Sequence, residues 1–280
     1  MHSTVSDGTD TPEALLARVR DAGIRIFSLT DHDSIKGCAR VRAAWSEGDP
    51  RFIEGTELSC RDGKGRYHIL GYGYDPQGAS IRAITDKSHA LRMEKLQGRL
   101  DFIASEFGFT FSDEDLTELR AMDNPGKPHI GNLMVRYGYA KDRAQAISEF
   151  INKKKFKSNW IDPADAIRAV LESGGIPVLA HPSYGNGNQM ILGDEMDERL
   201  RHLVAYGLCG VEAYYSGFPA KLTDQLLAFA EKYDLCVTAG SDYHGTNKLV
   251  PLGDTGEPFS KAGEARISSF LEMLGKDCAR

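Results

Sequence analysis

Ile24-Arg25-Ile26-Phe27-Ser28-Leu29-Thr30-Asp31-His32-Asp33 is an apolar run that ends in three side chains able to bind a metal. The run from Ile24 to Leu29 has the composition of a buried strand, and Ser34 then opens a helix. The same arrangement recurs along the chain. Glu57 follows Phe52-Ile53, His68 leads into Ile69-Leu70, His181 follows Ile176 to Ala180, and Asp242 and His244 follow Cys236 to Ala239. In α/β folds the C-terminal ends of the strands share one face, and that face carries the active site. The repetition therefore predicts a single polar cluster.

The elements around these tips alternate. Thr11-Pro12-Glu13 is a helix start with a cap, a proline and an acid in the first turn. A strand to Leu29, a helix from about Ile35 to Trp45, a strand from Arg51 to Leu58 and a strand from Tyr67 to Tyr74 follow, the last two joined by the turn Arg61 to Gly65. Residues 80–157 read as helices only: a long one over Ile81 to Phe107, one capped by Ser112, one opening at Pro128 and one near Arg143 to Ile151. Alternation resumes with a helix from Asp162, strands at Ile176 to Ala180, Gly210 to Ala213 and Leu235 to Ala239, and helices at Glu195 to Tyr206, Ala220 to Tyr233 and Ala262 to Leu274. Six strands with room for one more before Met1 predict a parallel barrel. The chain is read as one domain over 1–280, with 80–157 as a helical insertion.

At 280 residues and 41% hydrophobic, the chain can bury a large core. A net charge of -6 argues against stable binding to duplex nucleic acid, but leaves room for a small phosphorylated substrate in a local basic pocket. Five scattered cysteines without C-x-x-C suit a reducing compartment. With no membrane-length apolar run and no signal-peptide pattern, the expected location is the cytoplasm. Lys153-Lys154-Lys155 is read as a solvated surface run, and His89 and His202 as solvated residues of charged helices.

Histidine mixed with carboxylate, without thiolate, suits Zn²⁺, Mn²⁺ or Fe²⁺. A carboxylate such as Glu57 can bridge two metals, and a metal pair can polarise a phosphoryl group and generate hydroxide. Neither a G-x-S-x-G elbow nor a G-x-G-x-x-G loop after a strand is present. Metal-assisted hydrolysis is the reaction class these residues favour.

His2-Ser3 with Ser6-Asp7-Gly8, Thr30-Asp31-His32-Asp33, Gly55-Thr56-Glu57, His68, Ala180-His181-Pro182 and Gly240-Ser241-Asp242-Tyr243-His244 together resemble the PHP family, named for polymerase and histidinol phosphatase. The resemblance implies a distorted seven-stranded (β/α) barrel with a helical insertion and a phosphoesterase holding two or three divalent metals. It implies three ligand sets: His2, Glu57 and Asp242; Glu57, His68 and His181; and Asp7, His32 and His244. Glu57, His181 and Asp242 are the residues on which turnover is expected to depend. Glu212 lies beside the site and reads as a supporting residue.

The insertion resembles the branch that acts on nucleoside 3',5'-bisphosphates and short RNA ends, where basic insertion residues hold phosphate. Arg92, Lys127 and His129 are the candidates. Some relatives carry an arginine after His-Pro; here Ser183-Tyr184-Gly185 follow. The family also opens with a strand ending in His-x-His, of which His2 is the second histidine. The first, with its strand, is expected upstream of Met1. The alternatives are a small-metabolite phosphatase, such as one for histidinol phosphate, and a non-catalytic metal-binding domain.

Overall fold

The computed structural model describes residues 1–156, 160–184 and 190–276. Gly185, Cys278 (one of the five cysteines) and the last residue of the 80–157 segment lie outside the described residues. A single mixed sheet runs in chain order: β1 (Ile26–Leu29), β2 (Arg51–Arg61), β3 (Arg66–Tyr72), β4 (Ile176–Leu179), β5 (Gly210–Tyr215) and β6 (Cys236–Gly240). Around it lie α1 (Pro12–Asp21), α2 (Lys36–Ala44), α3 (Ala79–Phe107), α4 (Asp113–Ala121), α5 (Lys127–Arg136), α6 (Arg143–Gln145), α7 (Pro163–Glu172), α8 (Gly193–Val204), α9 (Ala220–Lys232) and α10 (Lys261–Lys276).

The sheet is not wholly parallel, which corrects the expectation of a parallel barrel. β1, β2, β4, β5 and β6 share one direction, and β3 runs against both of its neighbours. The cause is the short turn after β2, since only an antiparallel partner can be reached in so few residues. Asp62 fixes that turn: its Oδ1 accepts the N–H groups of Lys64 at 2.7 Å and Gly65 at 3.0 Å. Reversal has a functional consequence. His68, near the start of β3, lies at the same edge of the sheet as the C-terminal tips of the other strands.

Successive residues of each strand face opposite layers. On β3, Ile69 packs into the core built with α7, α8 and α9, through Val170, Leu200 and Leu226. Leu70 and Tyr72 face α10, through Phe270 and Leu274. Helices α3 to α6 have an apolar centre of their own, around Leu96, Ile103, Ile130 and Met134.

Among the described residues the sheet has six strands, with β1 and β6 at its ends. A cavity of about 320 Å³ lies between them, lined by Ile26, Ser28, Thr238 and Phe270 among others. Met1 lines it as well, and the N-terminal segment is tied to both neighbours. The Thr30 N–H donates to the Met1 carbonyl at 2.9 Å, and the His2 N–H donates to the Tyr243 carbonyl at 2.8 Å.

Candidate metal centre

His2 comes from the N-terminal segment, Asp7 from the turn after it, His32 from just past β1, Glu57 from β2 and His68 from β3. His181 follows β4, and Asp242 and His244 follow β6. The N-terminal turn is tied down by Asp31, a buried carboxylate that accepts from the Ser3 N–H, Ser3 Oγ and Ser6 Oγ, each at 2.7 Å. Gly8 closes the turn; a Cβ there would lie 2.2 Å from the His2 carbonyl oxygen. His2 is thereby only 1% exposed.

Among the described residues, three of the four non-glycine residues with positive φ sit here: Asp33 at 52°, His181 at 27° and Asp242 at 52°. Such backbone is costly for a side-chain-bearing residue and persists where the surrounding fold enforces it, commonly at functional sites.

Glu57 is the centre of the cluster. Its Oε2 lies 3.0 Å from His2 Nε2 and 3.9 Å from His32 Nδ1. Its Oε1 lies 2.5 Å from His68 Nδ1 and 3.1 Å from His181 Nε2. One carboxylate therefore faces histidines on both sides. Asp242 Oδ1 is 3.1 Å from His2 Nε2. Asp7 Oδ1 is 3.2 Å from His244 Nε2 and 4.0 Å from His32 Nε2.

Among the described residues, ligand atoms within 4.8 Å of one another form three groups: His2, Glu57 and Asp242; His2, Asp7, His32 and His244; and His32, Glu57 and His68. The third differs from the expected second set, having His32 in the place of His181. His181 still reaches Glu57 Oε1, and its Nε2 is 3.1 Å from His68 Nδ1.

The donor chemistry fits a divalent cation. His2 Nε2, Asp7 Oδ1 and His32 Nδ1 are buried and make no hydrogen bond of acceptable geometry, although charged partners surround them. Buried polar atoms of this kind call for an explanation, of which an ion is one. Burial opposes charge at every position, and the neighbours decide the outcome. Against burial, the carboxylates of Asp242 and Glu57 raise the His2 pKa to about 10, which reflects the negative charge packed around its ring. Burial wins at His32, pushed down to about 4. Glu57 stays ionised well below the usual carboxylate range despite burial, because His32 and His68 face it. Asp242 does likewise beside His2.

Of the Thr30-Asp31-His32-Asp33 tip, only His32 points into the cluster. Asp31 holds the N-terminal turn, and Asp33 pairs with Arg92 and accepts the Ser59 N–H at 2.8 Å. Glu212 accepts the His181 backbone N–H at 2.8 Å, and burial raises its pKa to about 7. His202 is not solvated as expected: its Nε2 lies 2.7 Å from Asp62, which is part of the β2–β3 turn.

The three expected substrate residues separate. Arg92 is neutralised by Asp33. Lys127 donates to Asn152 Oδ1 at 2.7 Å and lines a cavity beside the cluster. His129 Nδ1 accepts the Gly126 N–H at 3.0 Å, so it caps α5. The sequence reading missed a second group over the centre. Lys248 donates to Tyr215 Oη at 2.6 Å and pairs with Asp242, which also accepts from Tyr215 at 2.7 Å. Arg143 bonds the side chain of Asn247 and, at 2.9 Å, its carbonyl. Arg143, Asn247 and Lys248 line a 310 Å³ cavity with Asp7, Glu57 and His181. No spacing rule flags them, because Arg143 and Lys248 meet only in the folded chain.

No family model matches the chain. It is 29% identical to the phosphoribosyl 1,2-cyclic phosphate 1,2-diphosphodiesterase of Eggerthella lenta, covering 90% of this chain and 95% of that one. It is 28% identical to a 5'-3' exoribonuclease of Haemophilus influenzae, covering 90% and 91%. It is 26% identical to the 3',5'-nucleoside bisphosphate phosphatase of Chromobacterium violaceum, covering 87% and 85%. The crystal structure of a metal-dependent phosphoesterase, so far only putative, from Bifidobacterium adolescentis superposes with a TM-score of 0.81 at 27% identity, over 97% of this chain and 94% of that one.

Fold, ligand set and relatives together define a metal-dependent phosphoesterase. These likenesses support the PHP family, and within it the branch of the bisphosphate phosphatase and exoribonuclease relatives.

Proposed function

We propose that the protein removes phosphate from nucleotides, with nucleoside 3',5'-bisphosphates or short RNA 5' ends as substrates, and that water is the nucleophile. The observation that carries this reading is Glu57, one buried carboxylate with an oxygen toward His2 and His32 and the other toward His68 and His181. That is the arrangement a bridging ligand needs. When bound, two or three divalent ions such as Mn²⁺, Fe²⁺ or Zn²⁺ supply Lewis acidity toward phosphoryl oxygens and lower the pKa of water.

The chain's own residues do the rest. His2, Asp7, His32, Glu57, His68, His181, Asp242 and His244 hold the ions. Glu212 orients the His181 backbone, and Asp31 fixes the turn that carries His2 and Asp7. Arg143 and Lys248 line the cavity where a phosphate monoester would sit, and supply positive charge to its oxygens. Residues 80–157 serve as an insertion that covers the substrate. Among the described residues no helix is long and apolar enough to cross a membrane, and the scattered cysteines support a cytoplasmic setting.

The test is a substrate panel with Mn²⁺: a nucleoside 3',5'-bisphosphate, a short 5'-phosphorylated RNA, a ribosyl cyclic phosphate, histidinol phosphate and an aryl phosphate. Turnover is expected to be greatest on the first two and absent in Glu57→Ala and His181→Ala. Near-normal turnover in either variant, at unchanged metal content, sinks the assignment. Preference for the cyclic diester or histidinol phosphate replaces the substrate class.

A further inference from the structure

Helices α3 to α6 enclose an apolar centre of their own. The insertion can therefore part from the barrel as a unit without opening the core between the sheet and its helices, and such units are where proteins open locally. At its root, Ser80 and Lys87 of α3 bond to Glu172 and Asp165 of α7. Further out, Arg92, Asp123, Asn124 and Arg143 bond to the rest of the chain, and each lands beside a ligand of one metal group. The Asn124 side-chain amide donates to the His32 carbonyl, and Arg92 pairs with Asp33. Asp123 pairs at 2.8 Å with Lys36, at the start of α2 just past His32. Arg143 bonds the Asn247 side chain and, at 2.9 Å, its carbonyl.

Asn247 passes this last link on. Its Nδ2 donates to the Asp7 carbonyl at 2.7 Å, and its backbone N–H to the His244 carbonyl at 3.4 Å. The short turn it ends, Gly245–Asn247, lies against the N-terminal turn. There the Thr9 N–H donates to the His244 carbonyl at 3.2 Å, and the Thr246 N–H to Thr9 Oγ1 at 3.0 Å. The insertion is thus bonded beside Asp7, His32 and His244, which with His2 form one of the ligand groups. By contrast, His181 and Asp242 are held from within the barrel. Glu212 accepts the His181 N–H at 2.8 Å, and Tyr215 donates to Asp242 at 2.7 Å.

A carbonyl held in this way fixes the backbone from which a ligand side chain departs. Asn124 is only 2% exposed, so water does not compete for its bond. Loss of the partners that orient metal ligands costs about ten- to a hundredfold in metal affinity.

We propose that docking of the insertion and binding of a divalent ion by Asp7, His32 and His244 are coupled, with Asn124 and Asn247 as the positioning residues that carry the coupling. A docked insertion aligns the ligands, and an ion that aligns the ligands holds the insertion down, by the same factor in both directions. The proposal rests on the metal reading above and goes beyond it: one ligand group senses the cover over the site, and the ligands held from within the barrel do not.

The test uses Mn²⁺ as the probe on metal-free protein, with two readouts that need no turnover: the Mn²⁺ binding isotherm and hydrogen exchange of the α4 and α5 amides. In the parent, Mn²⁺ should slow that exchange about tenfold, within the usual range for coupled sites. Asn124→Ala/Asn247→Ala should weaken one class of Mn²⁺ site about tenfold for each bond lost. It should leave the other class at the parent's affinity and lose most of the slowing. Asp7→Asn, which removes a ligand of the group, should lose the slowing as well, whereas His181→Ala should keep it. Arg136→Gln, whose partner Asp115 lies inside the insertion, is the control and should match the parent in both readouts. Melting followed by circular dichroism confirms that each variant is folded. If the double variant is not, Asn247→Ala alone decides by the same readouts.

Exchange in the parent that ignores bound Mn²⁺ overturns the proposal. So does slowing in Asp7→Asn equal to the parent's, or a variant at Asn247 and Asn124 whose Mn²⁺ affinities match the parent's. A parent that takes up no Mn²⁺ overturns the metal reading beneath it as well, which separates the two failures.

Discussion

Replacing Lys95 by methionine should stabilise the protein at neutral pH, an unusual result for a buried side chain. The structure sets the size. Burial and the neighbouring Arg99 bring the Lys95 pKa from 10.5 to about 8. At 1.36 kcal/mol per unit, the ammonium therefore costs the folded state about 3 kcal/mol. Methionine fills a similar volume without charge. It forfeits the contact with Trp160, worth about 1–2 kcal/mol, so the net gain should be about 1–2 kcal/mol. The sign of the pH dependence follows from the depressed pKa. The penalty is complete below about pH 8, where the lysine is charged in both states. It fades as pH rises from about 8 toward 10.5, where the folded lysine has already lost its proton.

Urea unfolding at pH 7 and pH 10, in a buffer free of phosphate, measures both quantities. The midpoint of Lys95→Met should lie above that of the parent at pH 7, and the gap should shrink at pH 10. A variant destabilised at pH 7 by more than about 1 kcal/mol would show that the lysine is not an uncompensated charge. A gap that does not change with pH would refute the charge argument in the same way.

Two further outcomes are expected. Asp33→Asn, chosen because asparagine tolerates the positive φ at this position, leaves Arg92 unpaired and should cost about 3 kcal/mol in urea unfolding at pH 7. Arg92 and the Ser59 N–H hold the Asp33 pKa down despite burial, so the parent's advantage should persist through neutral pH and disappear as pH falls through the folded pKa, below the ordinary carboxylate range. Removing metal with a chelator should lower Tm and adding Mn²⁺ should restore it. Glu57→Gln should abolish most of that restoration and Asp7→Asn a smaller part, because Glu57 reaches two ligand groups and Asp7 one. Equal losses in the two variants would remove Glu57 from its central place.

The local features of the fold were legible in the sequence. Thr11 before Pro12 and Asp162 before Pro163 announced helices, and both side chains cap as expected, accepting from Ala14 and Ala164. The apolar runs announced six strands, because a buried strand is recognisable from its own residues. The side chains that converge at the centre were also nameable in advance. Metal chemistry admits few residue types, and strand tips are local positions.

Which partner each charge would meet was decided only by the tertiary structure. Asp31 and Asp33 flank His32, yet one turns to Ser3 and Ser6 and the other to Arg92, 59 residues away. The residues Arg92, Lys95 and Arg99 share one face of a helix by spacing alone, at i, i+3 and i+7. That face becomes a pocket only because Arg66, Lys127 and Trp160 arrive from other elements. Lys248 reaches Asp242 through the loop after β6, and Arg143 reaches that loop from the far side of the insertion. The reversal of β3 follows from a short turn that was visible in the sequence, but its effect, placing His68 among the tips of the other strands, appears only once the sheet is assembled. Residue type and local pattern fix what a side chain can do; the packing of distant elements fixes what it faces, and in this protein that separates the metal ligands from the cations beside them.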